Sequence, residues 1–310
     1  MHVLITGGSG LVGQALTHEL LNEGHEVTIL SRDPQKYEAL NPKVNWVKWD
    51  GRASDGWGHL METVDAVVNL AGASIGGEGL VNIFTQRWSE QNKKRILQSR
   101  LDAGQALVAA VAAVENKPAV LIQASAVGYY GPHGAEAIHE KDPAGDDFLA
   151  QVCEAWEKST EPVEDLGVRR VILRTGLILS QEGGILPVML LPFRLFVGGP
   201  VGSGLQEISW IHMRDHIAAM LFLLKDEAAQ GAFNLTAPDP VNYKQFSKIV
   251  GRVMNRPSFI PVPGFALKLL LGAKSMLVLE GQRVLPSRLL AMGYEFAYSE
   301  LEPALRELLA

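Results

Sequence analysis

Residues 2–13 read HVLITGGSGLVG, and this stretch decides the fold. Its first five residues form an apolar and β-branched run, which is typical of a short strand buried on both faces. Glycines follow at Gly7, Gly10 and Gly13, and a helical stripe of apolar residues then runs over 11–22. This order predicts a dinucleotide site, because the glycines allow a tight turn, close approach to a pyrophosphate and close packing of helix on strand.

The start of the predicted helix supplies the second half of that site. Backbone N–H groups at Leu11, Val12 and Gly13 have no partner inside the first helical turn, so they face an anion held at the glycine turn. A purely structural glycine turn is the alternative. The strand and the helix at the right distances on both sides favour the dinucleotide site.

The pattern of strand and helix repeats along the first half of the chain. Helical stretches are expected at about 88–114 and 147–166, and apolar runs predict further strands at 27–30, 44–48, 66–70, 120–124 and 171–173. Strands that alternate with helices predict a parallel sheet covered on both faces. We therefore expect an α/β fold, a Rossmann-type doubly wound parallel sheet whose ligand lies across the carboxyl ends of the strands.

After about residue 180 the pattern changes. Residues 183–204 are rich in glycine and proline, which favours a loop-rich lid or pocket wall. A helix is expected at 216–224, a strand at 232–235, and mainly short helices over 243–310. We predict a Rossmann domain over 1–180 and about 205–240, with a smaller substrate-side lobe from about 181–204 and 241–310.

Composition and charge exclude several classes of protein. The 310 residues are 47% hydrophobic and 20% charged, which excludes a disordered chain. The net charge of −6, without a dense Lys/Arg block, predicts no nucleic-acid partner. Apolar runs shorter than the roughly 18–20 residues that span a bilayer predict no membrane partner. No signal peptide precedes the first strand, so we expect a cytoplasmic protein. The single cysteine, Cys153, excludes a zinc-thiolate site, and we predict no bound metal.

The residues at the end of the second predicted strand distinguish a site for NAD from a site for NADP. A carboxylate there accepts the ribose 2′-hydroxyl of NAD, whereas a basic residue pairs with the 2′-phosphate of NADP. Here the sequence is Ser31-Arg32, and a hydroxyl beside a guanidinium suits a phosphate. Asp33 is the competing NAD-type acid, but it precedes Pro34 and is expected to start the next helix. The sequence therefore favours NADP(H).

Further small residues follow the third and fourth predicted strands. Asp50 comes after the third strand, and Leu70, Ala71 and Gly72 follow the fourth. At these positions we expect the residues to flank the adenine edge and the pyrophosphate or ribose of the cofactor. Together with the N-terminal glycine motif, these segments resemble the extended and atypical short-chain dehydrogenase/reductase superfamily. The resemblance continues in later motifs at 125–131, Glu140, 173–176, 210–212, Asp215 and 231–235.

The similarity sharpens to the "epimerase family protein" branch, which includes the human short-chain dehydrogenase family 39 member. The motifs that resemble this branch lie at 191–204, 210–212, 280–286 and 293–294, so the resemblance covers essentially the whole chain. It implies an NADP(H)-binding Rossmann domain and a distinct C-terminal segment from about residue 245. It implies no known substrate. By analogy with the superfamily, whose long helices commonly pair, a homodimer is an open expectation.

The catalytic signature of that superfamily is missing. Most members use a Tyr-x-x-x-Lys turn, in which the lysine lowers the tyrosine pKa for proton exchange while a serine positions the substrate oxygen. Ser125 fits the serine. On the expected helix, Phe148 or Leu149 replaces the phenol, and Val152 or Cys153 replaces the ammonium.

Other residues are candidates with competing structural interpretations. Tyr129 and Tyr130 are either pocket wall or, beside Ser125, a source of the missing proton. Arg95 is either a solvated surface residue or a cofactor contact, and Arg100 is placed by the resemblance near the cofactor or a substrate anion. Ile178 is either core or a nicotinamide neighbour. Two further residues, expected near the substrate unless they are structural, are Trp210 and His212.

Two functions remain open at this stage. The leading one is an NADP(H)-binding oxidoreductase or epimerase/dehydratase-like enzyme, with a small carbonyl or sugar-like substrate held by residues 183–212. The alternative is a non-catalytic NADP(H)-binding protein that reports cofactor state through its C-terminal segment. A nucleotide-sugar binder without hydride chemistry also fits the fold, but no sequence feature favours it.

Overall fold

The computed structural model describes residues 1–39, 41–75 and 88–310, and a seven-stranded parallel sheet forms its centre. The strands, in chain order, are β1 (His2–Thr6), β2 (Glu26–Ser31), β3 (Asn45–Lys48), β4 (Ala66–Asn69), β5 (Val120–Ala126), β6 (Ala137–Ile138), β7 (Arg169–Thr175), β8 (Leu177–Leu179), β9 (Glu207–Ile208), β10 (Trp210–His212), β11 (Gly231–Leu235), β12 (Val241–Asn242) and β13 (Arg283–Val284). The central sheet has the order β3-β2-β1-β4-β5-β7-β11, and every neighbouring pair in it is parallel. The expected doubly wound α/β fold is confirmed.

Helices connect these strands and cover the sheet. They are α1 (Leu11–Asn22), α2 (Gln35–Glu38), α3 (Glu90–Ala112), α4 (Phe148–Lys158), α5 (Leu186–Arg194), α6 (Met213–Lys225), α7 (Tyr243–Met254), α8 (Gly264–Leu271), α9 (Met276–Leu279), α10 (Ser287–Ala291) and α11 (Leu301–Leu308). Side-chain caps fix several starts: Ser89 accepts the Asn92 N–H before α3, and Asp147 accepts the Ala150 N–H before α4. None of the helices in the described ranges combines the length and the apolarity that crossing a bilayer requires.

Residues of β1 alternate between two separate cores. Val3 and Ile5 pack on one face of the sheet against α1 and α6, whereas Leu4 packs on the other face with α3. All three side chains are fully buried, as expected for a parallel sheet covered on both sides. This covering leaves the carboxyl ends of the strands as the accessible edge.

A third core joins α5, α7 and α11 in a smaller lobe. Leu186, Leu190 and Phe193 bury one face of α5 there. The prediction of a loop-rich 183–204 was therefore wrong over the α5 segment: Pro187 stands in the first turn, where it costs no hydrogen bond, and the apolar spacing is helical. Residues 289–296 include side chains that pack against the core of the main sheet rather than in the lobe.

Candidate cofactor cleft

A cleft of about 870 Å³ lies at the carboxyl ends of β1, β2, β3 and β4. This volume is in the range of about 300–1,000 Å³ that is usual for small-molecule sites. Among the predicted cofactor residues, those that line it are Gly7, Gly10, Ser31, Arg32, Asp50, Leu70, Ala71, Gly72 and Arg95. Its position is that predicted for a ligand of a doubly wound sheet.

Two glycines give the turn its shape. Gly7 has φ of +70°, and a Cβ added there would lie 2.7 Å from the Leu70 carbonyl oxygen. A Cβ on Gly13 would lie 2.5 Å from the Cα of Gly8. The first position therefore needs glycine for its backbone angle and its closeness to β4, and the second needs it so that α1 can pack against the turn.

The N-terminus of α1 is open to a ligand. Gly10 is its N-cap, no side chain caps it, and the first turn holds no acidic residue. The N–H groups of Leu11, Val12 and Gly13 therefore add an uncompensated partial positive charge next to the cleft. The residues present here fit a pyrophosphate, because an anion satisfies these donors and no side chain competes for them.

The ends of β2 and β3 form one wall of the cleft. Ser31 and Arg32 line it, whereas Asp33 does not; its N–H donates to Ser31 Oγ at 3.2 Å. On the facing loop, the Asp50 carboxylate accepts the N–H groups of Arg52 at 2.8 Å and Ala53 at 3.2 Å. These hydrogen bonds lower the pKa of Asp50, so its carboxylate stays ionised and fixed in its own turn.

One face of α3 forms the opposite wall. Only Arg95 of this face is a candidate from the sequence, as either a solvated surface residue or a cofactor contact. The residues of this face that line the cleft are Gln91, Lys94, Arg95, Gln98, Ser99 and Asp102. All six are polar and recur at helical spacing, and this pattern could have predicted the face from the sequence. With Arg32 and Arg52, the lining holds four cationic side chains against the two carboxylates of Asp50 and Asp102. The cleft is therefore basic within a chain of net charge −6.

Arg100 lies beneath the cleft floor as a buried cation. Only 6% of it is exposed, and Nη1 donates to the carbonyls of Ala73 at 3.0 Å and Ile96 at 2.9 Å. Its Cζ would lie 3.0 Å from a Cβ on Gly72, so this glycine makes room for the guanidinium. Nε has no hydrogen-bond partner, and no carboxylate within the described ranges pairs with the group. Burial lowers the pKa of Arg100 to about 10, so it is charged at neutral pH.

The predicted catalytic serine faces a different set of groups. Ser125 Oγ donates to Glu157 Oε1 at 2.7 Å, and the same carboxylate forms a two-pronged pair with Arg174, with both N–O distances at 2.9 Å. Burial lowers the pKa of the Arg174 guanidinium, but the hydrogen bonds and charge of Glu157 more than offset this, so its net shift is upward. These three side chains form a closed, buried ionic network.

Tyr130 extends that network and Tyr129 flanks it. The Tyr130 hydroxyl is fully buried, donates to Asn234 Oδ1 at 2.7 Å and accepts from Arg174 Nη1 at 3.1 Å. Burial raises the pKa of Tyr130 to about 12. The Tyr129 ring is partly exposed and lies 3.4 Å from Arg174 Cζ, a cation–π contact. Neither tyrosine lines the cleft, and of the two hydroxyls only that of Tyr130 is held by the network.

Helix α4, where a tyrosine–lysine pair was looked for, is apolar at those positions. Phe148 and Leu149 pack with Val152 in a small cluster around Trp88. Cys153 is buried, and burial raises the pKa of its thiol to about 11. This face of α4 therefore offers neither a phenol nor an ammonium group.

The remaining candidates lie in packed surroundings. Ile178 pairs with Ile211 in register and packs against the main core. Trp210 is fully buried in the core of the small lobe and donates to the Asp239 carbonyl at 3.0 Å. His212 caps α6 and contacts Glu307 at 2.9 Å. Neither Trp210 nor His212 lines the cofactor cleft. That they lie near the substrate stays a prediction.

Comparison with known proteins identifies relatives along the whole chain. The model described as "NAD dependent epimerase/dehydratase family" matches residues 3–236, and "Domain of unknown function (DUF1731)" matches residues 262–308. The epimerase family protein YfhF of Bacillus subtilis is 39% identical over 313 residues, which cover 100% of this chain and 98% of that protein.

Two solved structures are similar in both sequence and fold. The crystal structure of human epimerase family protein SDR39U1 (isoform 2) with NADPH has a TM-score of 0.86 and 35% identity, and the match covers 99% of each chain. The nucleoside-diphosphate sugar epimerase from Corynebacterium glutamicum has a TM-score of 0.77 and 33% identity, over 99% of this chain and 58% of that one. The resemblance predicted from the motifs is thus confirmed.

Proposed function

The chain belongs to the NAD dependent epimerase/dehydratase family, and we propose that it binds NADP(H) in the cleft and acts on a small carbonyl or sugar-like substrate. In this proposal the Rossmann part holds the cofactor, and the lobe built from 181–204 and much of 241–310 faces the substrate. The binding of NADPH by SDR39U1, which is similar over its whole length, supports the choice of cofactor.

One observation carries the choice of NADP(H) over NAD(H): Arg32 lines the cleft and Asp33 does not. The guanidinium stands at the end of β2, where the 2′ position of the adenosine ribose is recognised in this fold. A planar donor fork suits a phosphate, and the Ser31 hydroxyl lies beside it. The only carboxylate of this wall in the described ranges, Asp50, is already engaged with backbone N–H groups.

The other cofactor phosphates have their own partners. The N–H groups of Leu11, Val12 and Gly13 would hold the pyrophosphate at the start of α1. Arg100 would contribute charge from below Gly72, because no carboxylate in the part of the chain that the structure describes pairs with it. Arg95 and Lys94 would hold the anion from α3.

Bound NADPH would supply a hydride from its nicotinamide ring. The chain itself would supply the proton, and Tyr129 is the best-placed donor of the three predicted catalytic residues. Its ring is partly exposed and packs on the Arg174 guanidinium, and its hydroxyl makes no hydrogen bond within the described ranges. Ser125 and Tyr130 would position this loop through the Glu157–Arg174 network.

A second function is favoured by that same network. The hydroxyls of Ser125 and Tyr130 are both committed to buried partners, and α4 lacks the tyrosine–lysine pair. A protein that binds NADP(H) without turnover, and whose C-terminal segment reports the cofactor state to a partner, requires no proton donor at all.

Two measurements test these proposals. Titration of the full chain with NADPH and with NADH should show at least about tenfold tighter binding of NADPH, as a charge-assisted contact to the 2′-phosphate requires; equal affinities would refute the cofactor assignment. Nicotinamide absorbance should then fall on a panel of carbonyl compounds and sugar nucleotides, and Tyr129→Phe should slow that turnover without changing NADPH affinity. Tight NADPH binding with no turnover on any panel would favour the second function.

A further inference from the structure

The C-terminal lobe carries a charge pattern unlike that of the rest of the chain. Residues 243–279 contain six Lys or Arg residues and not one Asp or Glu, although the whole chain has a net charge of −6. The six are Lys244, Lys248, Arg252, Arg256, Lys268 and Lys274. This stretch is the most one-sided charge segment of its length in the lobe, and it belongs to the region that departs most from the Rossmann pattern.

The same region exposes large apolar side chains. Phe259 is 76% exposed, Phe265 is 76% exposed and Leu269 is 80% exposed. Helix α8 carries Phe265, Lys268 and Leu269 on successive turns, with all three side chains exposed. An isolated exposed leucine is ordinary, but aromatic and aliphatic groups exposed this fully on neighbouring turns mark an interaction surface.

A second segment joins these residues into one surface. The Ile260 N–H donates to the Gly198 carbonyl at 3.1 Å, and the Gly202 N–H donates to the Val262 carbonyl at 2.9 Å. The two chain segments therefore run side by side. The combined surface, here called the apolar face, comprises the exposed residues Leu195, Phe196, Val197, Leu205, Phe259, Phe265 and Leu269.

Cationic groups lie among the apolar side chains of this face. The Arg256 guanidinium lies 4.4 Å from the Phe196 ring centroid, and Arg194 and Lys268 are exposed beside Leu195 and Leu269. Residues 183–206 likewise hold one arginine and no acidic residue. Arg252 pairs with Glu302 and Lys274 is buried, so the cations that lie exposed beside the apolar face are Arg194, Arg256 and Lys268.

The combination of exposed apolar side chains and cations indicates which kind of partner binds the apolar face. A second copy of the chain, docked through the same face, would bring these cations close to their own counterparts, and neither 183–206 nor 243–279 supplies an Asp or Glu to compensate them. A bilayer with anionic headgroups satisfies both features, because the phenylalanine and leucine side chains enter the headgroup boundary while Lys and Arg stay with the phosphates. Such shallow contact needs no apolar run of the length that spans a bilayer.

We propose that the apolar face docks the protein on membranes that contain anionic phospholipid. The proposal depends on the exposed lobe alone and stands whether or not NADP(H) binds.

Vesicle flotation of the full chain tests the proposal. We expect binding to vesicles of phosphatidylcholine with phosphatidylglycerol and much weaker binding to phosphatidylcholine alone. The double variant Phe265→Ser/Leu269→Ser should lose at least about tenfold in affinity, since both side chains leave the apolar phase. Arg256→Gln/Lys268→Gln should lose about fivefold for each charge removed, and salt at about 1 M should have the same effect.

Matched variants separate docking from damage to the fold. Leu290→Ser removes a leucine that is 47% exposed elsewhere, and Lys43→Gln removes an exposed cation of the Rossmann part; both should bind vesicles like the parent chain. NADPH affinity should be the same in all variants and reports separately on the proposed function. The proposal fails if phosphatidylglycerol does not increase binding, or if the face variants bind like the controls. It also fails if Phe265→Ser/Leu269→Ser instead converts a dimer into a monomer in sedimentation.

Discussion

The two halves of the sheet's carboxyl edge differ in whether their polar groups already have partners within the chain. At the ends of β1 and β2, polar groups are left open: the start of α1 is uncapped, and Arg32 lines an open cleft. At the ends of β5 and β7, polar groups are closed on one another, because Ser125 and Arg174 share the carboxylate of Glu157. The open half is arranged for a ligand that is not part of the chain, whereas the closed half is complete without one.

The buried guanidinium groups of Arg100 and Arg174 show this difference directly. Arg174 has a carboxylate partner on two hydrogen bonds, and Arg100 has backbone carbonyls and no carboxylate within the described ranges. Removing one member of a buried ion pair leaves the other charge buried without its partner, which destabilises the fold. Replacing a buried charge that has no such partner removes its desolvation cost. The two halves should therefore respond in opposite ways to mutation.

The largest effect is expected from breaking the closed half. Glu157→Gln should lower the free energy of unfolding by about 3–5 kcal/mol, because Arg174 is left buried without its counter-charge. Glu164→Gln is the matched control: its carboxylate is 36% exposed, and the buried Arg170 that it pairs with keeps a hydrogen bond to the Glu157 carbonyl, so the loss should be no more than about 1–2 kcal/mol. Urea denaturation measures both. Equal losses in the two variants would show that the Glu157 network is no more than a surface-type ion pair.

How far the sequence predicts each half follows from the range of its interactions. The glycine turn and α1 are local, and β1 and α1 have the bounds that the apolar pattern predicted. The partners of the closed half are distant: Ser125 and Glu157 are 32 residues apart, and Tyr130 and Asn234 are 104 apart. No spacing rule links such pairs, so a serine that fits a catalytic motif gave no sign of the carboxylate that would engage it.

Two other features escaped prediction for physical reasons of their own. Helix α5 was obscured by its two prolines, which are typical of loops. Pro187 stands in the first turn, which tolerates proline, whereas Pro192 lies inside the helix, near its end. The sequence pattern did not single out the docking residues of the lobe, since an apolar run does not reveal whether its helix is covered. Exposure at Phe265 and Leu269 became visible only once the packing of α8 was known.

The next effect tests the turn that opens the cofactor half. Gly7→Ala should cost about 2–4 kcal/mol of stability, because a left-handed alanine is strained and its Cβ meets the Leu70 carbonyl. Gly24→Ala, at φ of +80° with nothing within 4 Å, isolates the backbone strain and should cost about 1–2 kcal/mol. NADPH binding should weaken in the first variant alone. Equal behaviour of both variants would contradict a close approach at Gly7.

A smaller and more selective change is expected at the wall of the cleft. Arg32→Ala should reduce NADPH affinity by about tenfold to a hundredfold and leave NADH affinity nearly constant, since the guanidinium is proposed to meet only the 2′-phosphate. Arg52→Ala is the control from the facing loop, with a side chain that is 79% exposed, and should affect both cofactors equally and weakly. Isothermal titration gives all four affinities. An unchanged NADPH/NADH ratio in Arg32→Ala would overturn the assignment of that wall.

The smallest change in stability, and the sharpest contrast with Glu157, is expected at Arg100. Arg100→Met keeps an apolar stem but loses the guanidinium, whose Cζ lies 4.6 Å from the Trp156 ring centroid. The lost cation–π contact opposes the removed desolvation cost of a charge that no carboxylate within the described ranges pairs with, so stability should change by less than about 1 kcal/mol and in either direction. NADPH affinity should nevertheless fall about tenfold, because the positive charge proposed to attract the cofactor phosphates is lost. Arg100→Lys should recover part of the affinity, since it restores the charge without the fork. If Arg100→Met instead lost as much stability as Glu157→Gln while binding NADPH normally, both halves of the edge would be structural networks, and the open half would no longer differ from the closed one.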